Sequence, residues 1–189
     1  PQSATWPDPQ HAPNRGPVPD GMVDWFAEGA AALAGHFRQD ATVWTWSAEQ
    51  SVAFWRRIQA IEAALHRWDA QLAVTGSPEP LDAGLAADAV AQTFEVMAPA
   101  RRAWRHAPPG QGERYLLRQS DGPGRWAYAF QGDAVDRTET GAVELTGTAS
   151  DLALFLWQRI PWQRLPAERL AVKGDESLVD RYFTLVPPV

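Results

Sequence analysis

Phe54-Trp55-Arg56-Arg57-Ile58-Gln59-Ala60-Ile61-Glu62-Ala63-Ala64-Leu65-His66-Arg67-Trp68-Asp69-Ala70 contains neither proline nor glycine. Its apolar residues recur three or four apart, the period of an amphipathic helix. At ~100° per residue, Phe54, Ile58, Ile61, Leu65 and Leu72 share one stripe. Glu62, His66 and Asp69 lie along the edge of that stripe and are expected to point toward the core, while Arg56, Ala63, Arg67 and Ala70 face water. Side chains four apart on a helix are neighbours, so the Glu62 carboxylate and the His66 imidazole reach one point in space. An oxygen and a nitrogen donor meeting there suit zinc or another divalent metal. A catalytic zinc takes three protein ligands and keeps a fourth position open, so two donors do not complete a site. The competing reading is a Glu–His hydrogen bond across one helical turn with nothing between the partners.

Outward from this helix, the turn signals divide the chain. Ser47, with Gln50 three residues on, forms a capping box before the helix, and Thr75-Gly76-Ser77-Pro78 stops it. Upstream, residues 1–20 are proline-rich and aperiodic, the texture of a linker; His11 within it reads as a solvated residue. Asp20 or Asp24 caps a helix to about Arg38 that carries Trp25, Phe26, Leu33 and Phe37. Downstream, Asp82 caps a helix to about Trp104 with Leu85, Ala89, Val90, Phe94 and Met97 on its inner face and Pro99 as a kink. Pro108-Pro109-Gly110 then breaks the chain and reads as a domain boundary.

Beyond it the period shifts to two. Residues 114–118 and 124–130 read as strands joined by Asp121-Gly122-Pro123-Gly124, with further short strands at 134–138, 142–146 and 170–174. Thr148 to Asp151 opens a helix that ends before Pro161, and Asp175 opens a last short helix. The fold class is therefore α+β: a linker over 1–20, a helical domain over 21–107 and a small α+β domain over 113–189.

Composition limits the function. The 189 residues carry a net charge of −6, against a nucleic-acid partner. No stretch approaches the length of a membrane span. There is no cysteine, which is consistent with the cytoplasm and means that any thiol chemistry must borrow a small-molecule thiol. Most of the ten tryptophans are expected to fill cores.

Val43-Trp44-Thr45-Trp46 followed by Phe54-Trp55-x-Arg57-x-x-x-x-Glu62-x-x-x-His66-Arg67-x-Asp69-Ala70 resembles the mycothiol-dependent maleylpyruvate isomerase family. Leu145-Thr146-Gly147-Thr148-Ala149-Ser150-Asp151-Leu152, Leu156-Trp157-x-Arg159 and Val172-x-Gly174-Asp175 extend the resemblance to the end of the chain. The resemblance implies a DinB-like four-helix bundle followed by a small C-terminal domain. It also implies a divalent metal, usually zinc, held by a His-Glu-His set whose last two members fall on Glu62 and His66. The first histidine lies in that family on an N-terminal helix, in a His-Leu-Gly-like motif that this chain does not contain. The bundle is expected to lack that helix here, the Pro-rich start reading as the connector after it. The helix is expected to exist as a separate chain or undescribed segment, or to have been lost from this member, and the uncovered surface is then expected to pair with a second copy or another protein.

The resemblance further implies that mycothiol, ionised at the metal, adds to an activated double bond, permits rotation and leaves. Related proteins transfer the thiol to an electrophile instead. On this reading Asp69 orients His66, and Arg159 grips an acidic substrate or cofactor. Two functions follow: a metal- and mycothiol-dependent isomerase or thiol transferase acting on a small electrophile, or a non-catalytic, metal-free DinB-like binding or structural protein.

Overall fold

The first helix of the chain, α1 (Met22–His36), starts at Gly21, whose φ of 77° is open to glycine without strain. The structure is a computed structural model, describing residues 20–38 and 40–188. Most of the Pro-rich stretch at 1–20, with His11, lies outside the described residues. The chain divides into two compact units between Ala60 and Ile61.

In the first unit no residue of α1 is buried, and Val23, Trp25 and Phe26 are 81%, 71% and 69% exposed. The connector after α1 is an aromatic and polar knot. The Gln50 amide takes both the N–H and the C=O of Thr45, at 3.0 Å each. The Ser47–Gln50 pair is thus spent within the connector. Ser51 opens α2 (Val52–Thr75) instead, its hydroxyl accepting from the Phe54 N–H at 3.0 Å. Trp55 Nε1 donates to the Trp44 carbonyl at 2.8 Å, and the Trp46 and Phe54 rings meet edge to face at 5.0 Å.

In the second unit, α2 buries Ile61, Leu65 and Trp68. Leu72, expected on the same stripe, is 42% exposed: the indole one turn earlier takes its place, as a wide apolar face permits. Asp82 caps α3 (Ala83–Gln92), its Oδ1 accepting from Leu85 N–H at 2.9 Å. The helical path continues through a π turn (Thr93–Met97) into α4 (Ala98–Trp104). Pro99 lacks an N–H and crowds the preceding turn, and the widened π turn just before it is where the helix absorbs that misfit.

Five strands follow: β1 (Gly110–Gln119), β2 (Arg125–Gly132), β3 (Ala134–Arg137), β4 (Val143–Gly147) and β5 (Leu170–Gly174). They form one mixed sheet in the order β3-β2-β1-β4-β5, parallel only between β1 and β4. Helix α5 (Ala149–Leu156) is buried along its whole length, lying between α3 and the sheet strands β1 and β4. The last helix, α6 (Ser177–Leu185), puts Tyr182 among Phe94, Tyr115 and Phe130 at centroid distances of 5.5–6.2 Å. The architecture is α+β, with a helical N-terminal region. The second compact unit runs through the Pro108-Pro109 break, because α3 and α5 share one core across it.

Candidate functional site

Helix α2 brings Glu62, His66 and Asp69 to one edge through its own periodicity. His66 Nε2 lies 3.4 Å from Glu62 Oε2, and His66 Nδ1 lies 3.1 Å from Asp69 Oδ2. These groups sit at the rim rather than in the core: His66 is 66% exposed, against 32% for Glu62. An imidazole packed inward would lose its water, and the edge position leaves it hydrated.

Arg159 completes the row from a different element. Helix α5 ends with a left-handed residue, Gln158 at φ 58°. Gln158 N–H bonds back to Phe155 O at 2.9 Å and Arg159 N–H to Leu154 O at 2.8 Å. This is the Schellman pattern, built here on glutamine rather than glycine. It turns Arg159 back toward α2, where Nε and Nη2 reach the two oxygens of Asp69 at 3.1 and 2.9 Å. Arg159 Nη1 donates to the Trp157 carbonyl at 2.9 Å. The Asp69 carboxyl is held below its ordinary pKa, first by the Arg159 hydrogen bonds and then, against the opposing effect of burial, by the Arg159 charge and by His66.

The order of contacts is Glu62, His66, Asp69, Arg159. Both ring nitrogens of His66 face a carboxylate, Nε2 toward Glu62 and Nδ1 toward Asp69. Two donors 3.4 Å apart match one edge of a tetrahedron with metal bonds of about 2.0–2.1 Å. Glu62 and His66 therefore fit as two ligands of a divalent metal. Among the described residues no group of three His, Cys, Asp or Glu is gathered to hold one, because Asp69 is turned to the other ring nitrogen and to Arg159. A cavity of about 670 Å³ lies in the second unit, with Trp68, Pro78, Leu81, Ser150, Asp151 and Arg169 in its wall. Its size and mixed lining are those of a site for a small molecule.

Glu62, His66, Asp69 and Arg159 are legible in the sequence, whereas Arg101 on α4 is not. Arg101 is 5% exposed, and its guanidinium lies over the Trp157 ring, 4.8 Å from the centroid. Its only sequence signal is an arginine at a helical position where the inner face continues past Met97.

Two family models match the chain. The mycothiol maleylpyruvate isomerase N-terminal domain matches residues 1–71 and the MDMPI C-terminal domain matches residues 84–181. Comparison with curated proteins returned no match. A solved structure described as a UbiJ-SCP2 ubiquinone synthesis protein aligns at 15% identity over 54% of this chain and 92% of its own, with a TM-score of 0.37; at that score the likeness carries no argument.

Proposed function

Because the chain belongs to the mycothiol maleylpyruvate isomerase family, we propose that it is a metal-dependent, mycothiol-using isomerase or thiol transferase acting on a small electrophile. The family's name itself points to mycothiol and to isomerisation. The observation that carries the finer reading is the Glu62–His66–Asp69–Arg159 row, with its two donors 3.4 Å apart.

Glu62 and His66 would hold the metal, with a further ligand from outside the described residues. A bound divalent ion would supply the charge that ionises a coordinated thiol near neutral pH. The chain's own residues do the rest. Asp69 accepts the His66 Nδ1–H and keeps the ring from rotating. Arg159 neutralises Asp69 and locks its plane through two parallel hydrogen bonds, and its remaining N–H groups are available to an acidic substrate or cofactor. The chain has no cysteine, so the thiol comes from the small-molecule partner. No helix among the described residues is long and apolar enough to cross a membrane, and the reading places the protein in the cytoplasm with no nucleic-acid partner. The exposed α1 face is assigned to a second copy of the chain.

A second reading, a metal-free binding or structural protein of the same fold, is favoured by the lack of a third ligand among the described residues. Elemental analysis of the native protein, with a mycothiol-dependent cis–trans isomerisation assay, separates the two. About one zinc per chain, with activity lost at least a hundredfold in Glu62→Gln and His66→Asn at unchanged Tm, is the expected result. Absence of metal, with no turnover in the parent protein, leaves the second reading.

A further inference from the structure

The cavity of about 670 Å³ in the second unit stands apart from the Glu62–His66–Asp69–Arg159 row: none of those four residues lines it. Helix α2 gives it Trp68 and Leu72, and Trp68 stands ~200° around the helix from His66. The loop after α2 adds Pro78, Pro80 and Leu81, and Leu154 and Ile160 come from α5 and the segment after it. Hydrogen bonds from both flanks hold that loop in place. Arg67 Nη2 donates to the Pro80 carbonyl at 3.0 Å, the Glu79 N–H to Gln71 Oε1 at 3.2 Å, and the Leu81 N–H to Ser150 Oγ at 3.0 Å. The cavity is therefore preformed, and its volume is that of a small-molecule site.

The polar part of the wall gathers at the start of α5, where Asp121, Thr148, Ser150, Asp151 and Arg169 line it. A helix N-terminus and an arginine would by themselves attract an anion, but both are already answered here. The Ala149 N–H donates to Asp121 Oδ1 at 2.9 Å, and the Asp151 N–H to Thr148 Oγ1 at 3.1 Å. Arg169 is ion-paired with the buried Asp151 carboxylate. What is left over is negative charge: two carboxylates stand against one guanidinium. Asp121 is exposed, and its Oδ2 makes no hydrogen bond or ion pair among the described residues.

We propose that this cavity is a second binding site, for a small cationic ligand that carries one ammonium group on an apolar body. The ammonium donates to the open oxygen of Asp121 and supplies the positive charge that the polar wall lacks. The apolar body lies along Leu72, Pro78 and Ile160, which are exposed or half-buried and lose water-facing surface to it. An anionic ligand would instead meet an unmatched carboxylate, and a neutral one would leave that carboxylate without a counter-charge. The site is independent of the metal and thiol chemistry assigned to the row.

The test is calorimetric titration of the native protein at pH 7 with 2-phenylethylamine. Two probes of similar shape serve as controls, neutral 2-phenylethanol and anionic 3-phenylpropionate. Saturable binding of the amine is expected, with both controls weaker, and a loss of about fivefold in Asp121→Asn, the worth of a partly exposed ion pair. Asp121→Asn keeps an Oδ1 to accept the Ala149 N–H, so its Tm is expected to match the parent's. Leu72→Trp, which places bulk at an exposed part of the cavity wall, is expected to abolish binding. Equal affinity for the amine and its neutral or anionic counterpart overturns the proposal, as does amine binding unchanged in Asp121→Asn or no saturable binding by the parent protein. Should Asp121→Asn not fold, Leu72→Trp decides: lost amine binding upholds the site and unchanged binding overturns it. The titration needs no metal, thiol or turnover, so its result stands whether or not the protein proves to be an isomerase.

Discussion

Asp69 serves two partners at once, and its ionisation links them. Its oxygens meet the Arg159 fork, and one of them also meets His66. Its folded-state pKa is depressed chiefly by the Arg159 hydrogen bonds, so as pH falls the unfolded chain takes up the proton first. The stabilisation is therefore complete above the unfolded carboxylate value of about 4 and is lost as pH drops through the lower folded value. Asp69 is 36% exposed, so solvent screens the pair and its worth at neutral pH is about 1 kcal/mol or less. Asp69→Asn is expected to lower Tm by a few degrees at pH 7, with the gap narrowing as pH falls below about 4, read by thermal denaturation across the range. A gap that stays constant from pH 7 to pH 3 counts against the linkage.

The residue row exists because two elements end where they do. On α2 the 3.6-residue period places Glu62, His66 and Asp69 together from sequence alone. On α5 the chain has to reverse immediately after Trp157, and a glutamine in the left-handed region makes that turn. The conformation costs a residue with a Cβ roughly 1 kcal/mol that glycine avoids. Gln158→Gly is thus expected to stabilise the protein by about 0.5–1 kcal/mol in urea denaturation while leaving the Arg159–Asp69 pair in place. A destabilised variant would show that the Gln158 side chain contributes more than its backbone strain removes. The π turn before Pro99 acts in the same way, letting one helical path carry Phe94 and Met97 inward and still deliver Arg101 and Arg102 to buried positions.

Across the whole molecule the most uneven feature is α1, a helix with apolar residues and no buried one. Large exposed apolar faces mark an interaction surface or an aggregation liability. If the face pairs with a second copy, the mass measured by sedimentation velocity rises with concentration, and Trp25→Ser together with Phe26→Ser returns it to the monomer value. A concentration-independent monomer mass in the parent protein removes self-association from the reading.

Local chemistry made much of this legible in advance. The α2 period, the Asp82 cap, the Thr75-Gly76 stop, the strand of residues 170–174 and the Thr148 cap of α5 depend on residues within one turn or one strand of each other, so the sequence alone determined them. It also determined the Glu62–His66 spacing, and the motifs that carry the family resemblance. Tertiary structure decided what involves partners far apart in the chain. Pairing Asp69 with Arg159, ninety positions on, required α5 to end beside α2. Exposing Leu72 and burying Trp68 depended on which neighbours α2 met, and the Ser47–Gln50 box was lost to Thr45 because the connector folded on itself. The unlike fates of Arg101 and Arg102 could not be read from two identical neighbouring letters. One donates to carbonyls from α6 and β2, the other lies over the Trp157 ring, and long-range packing alone brings either environment into being.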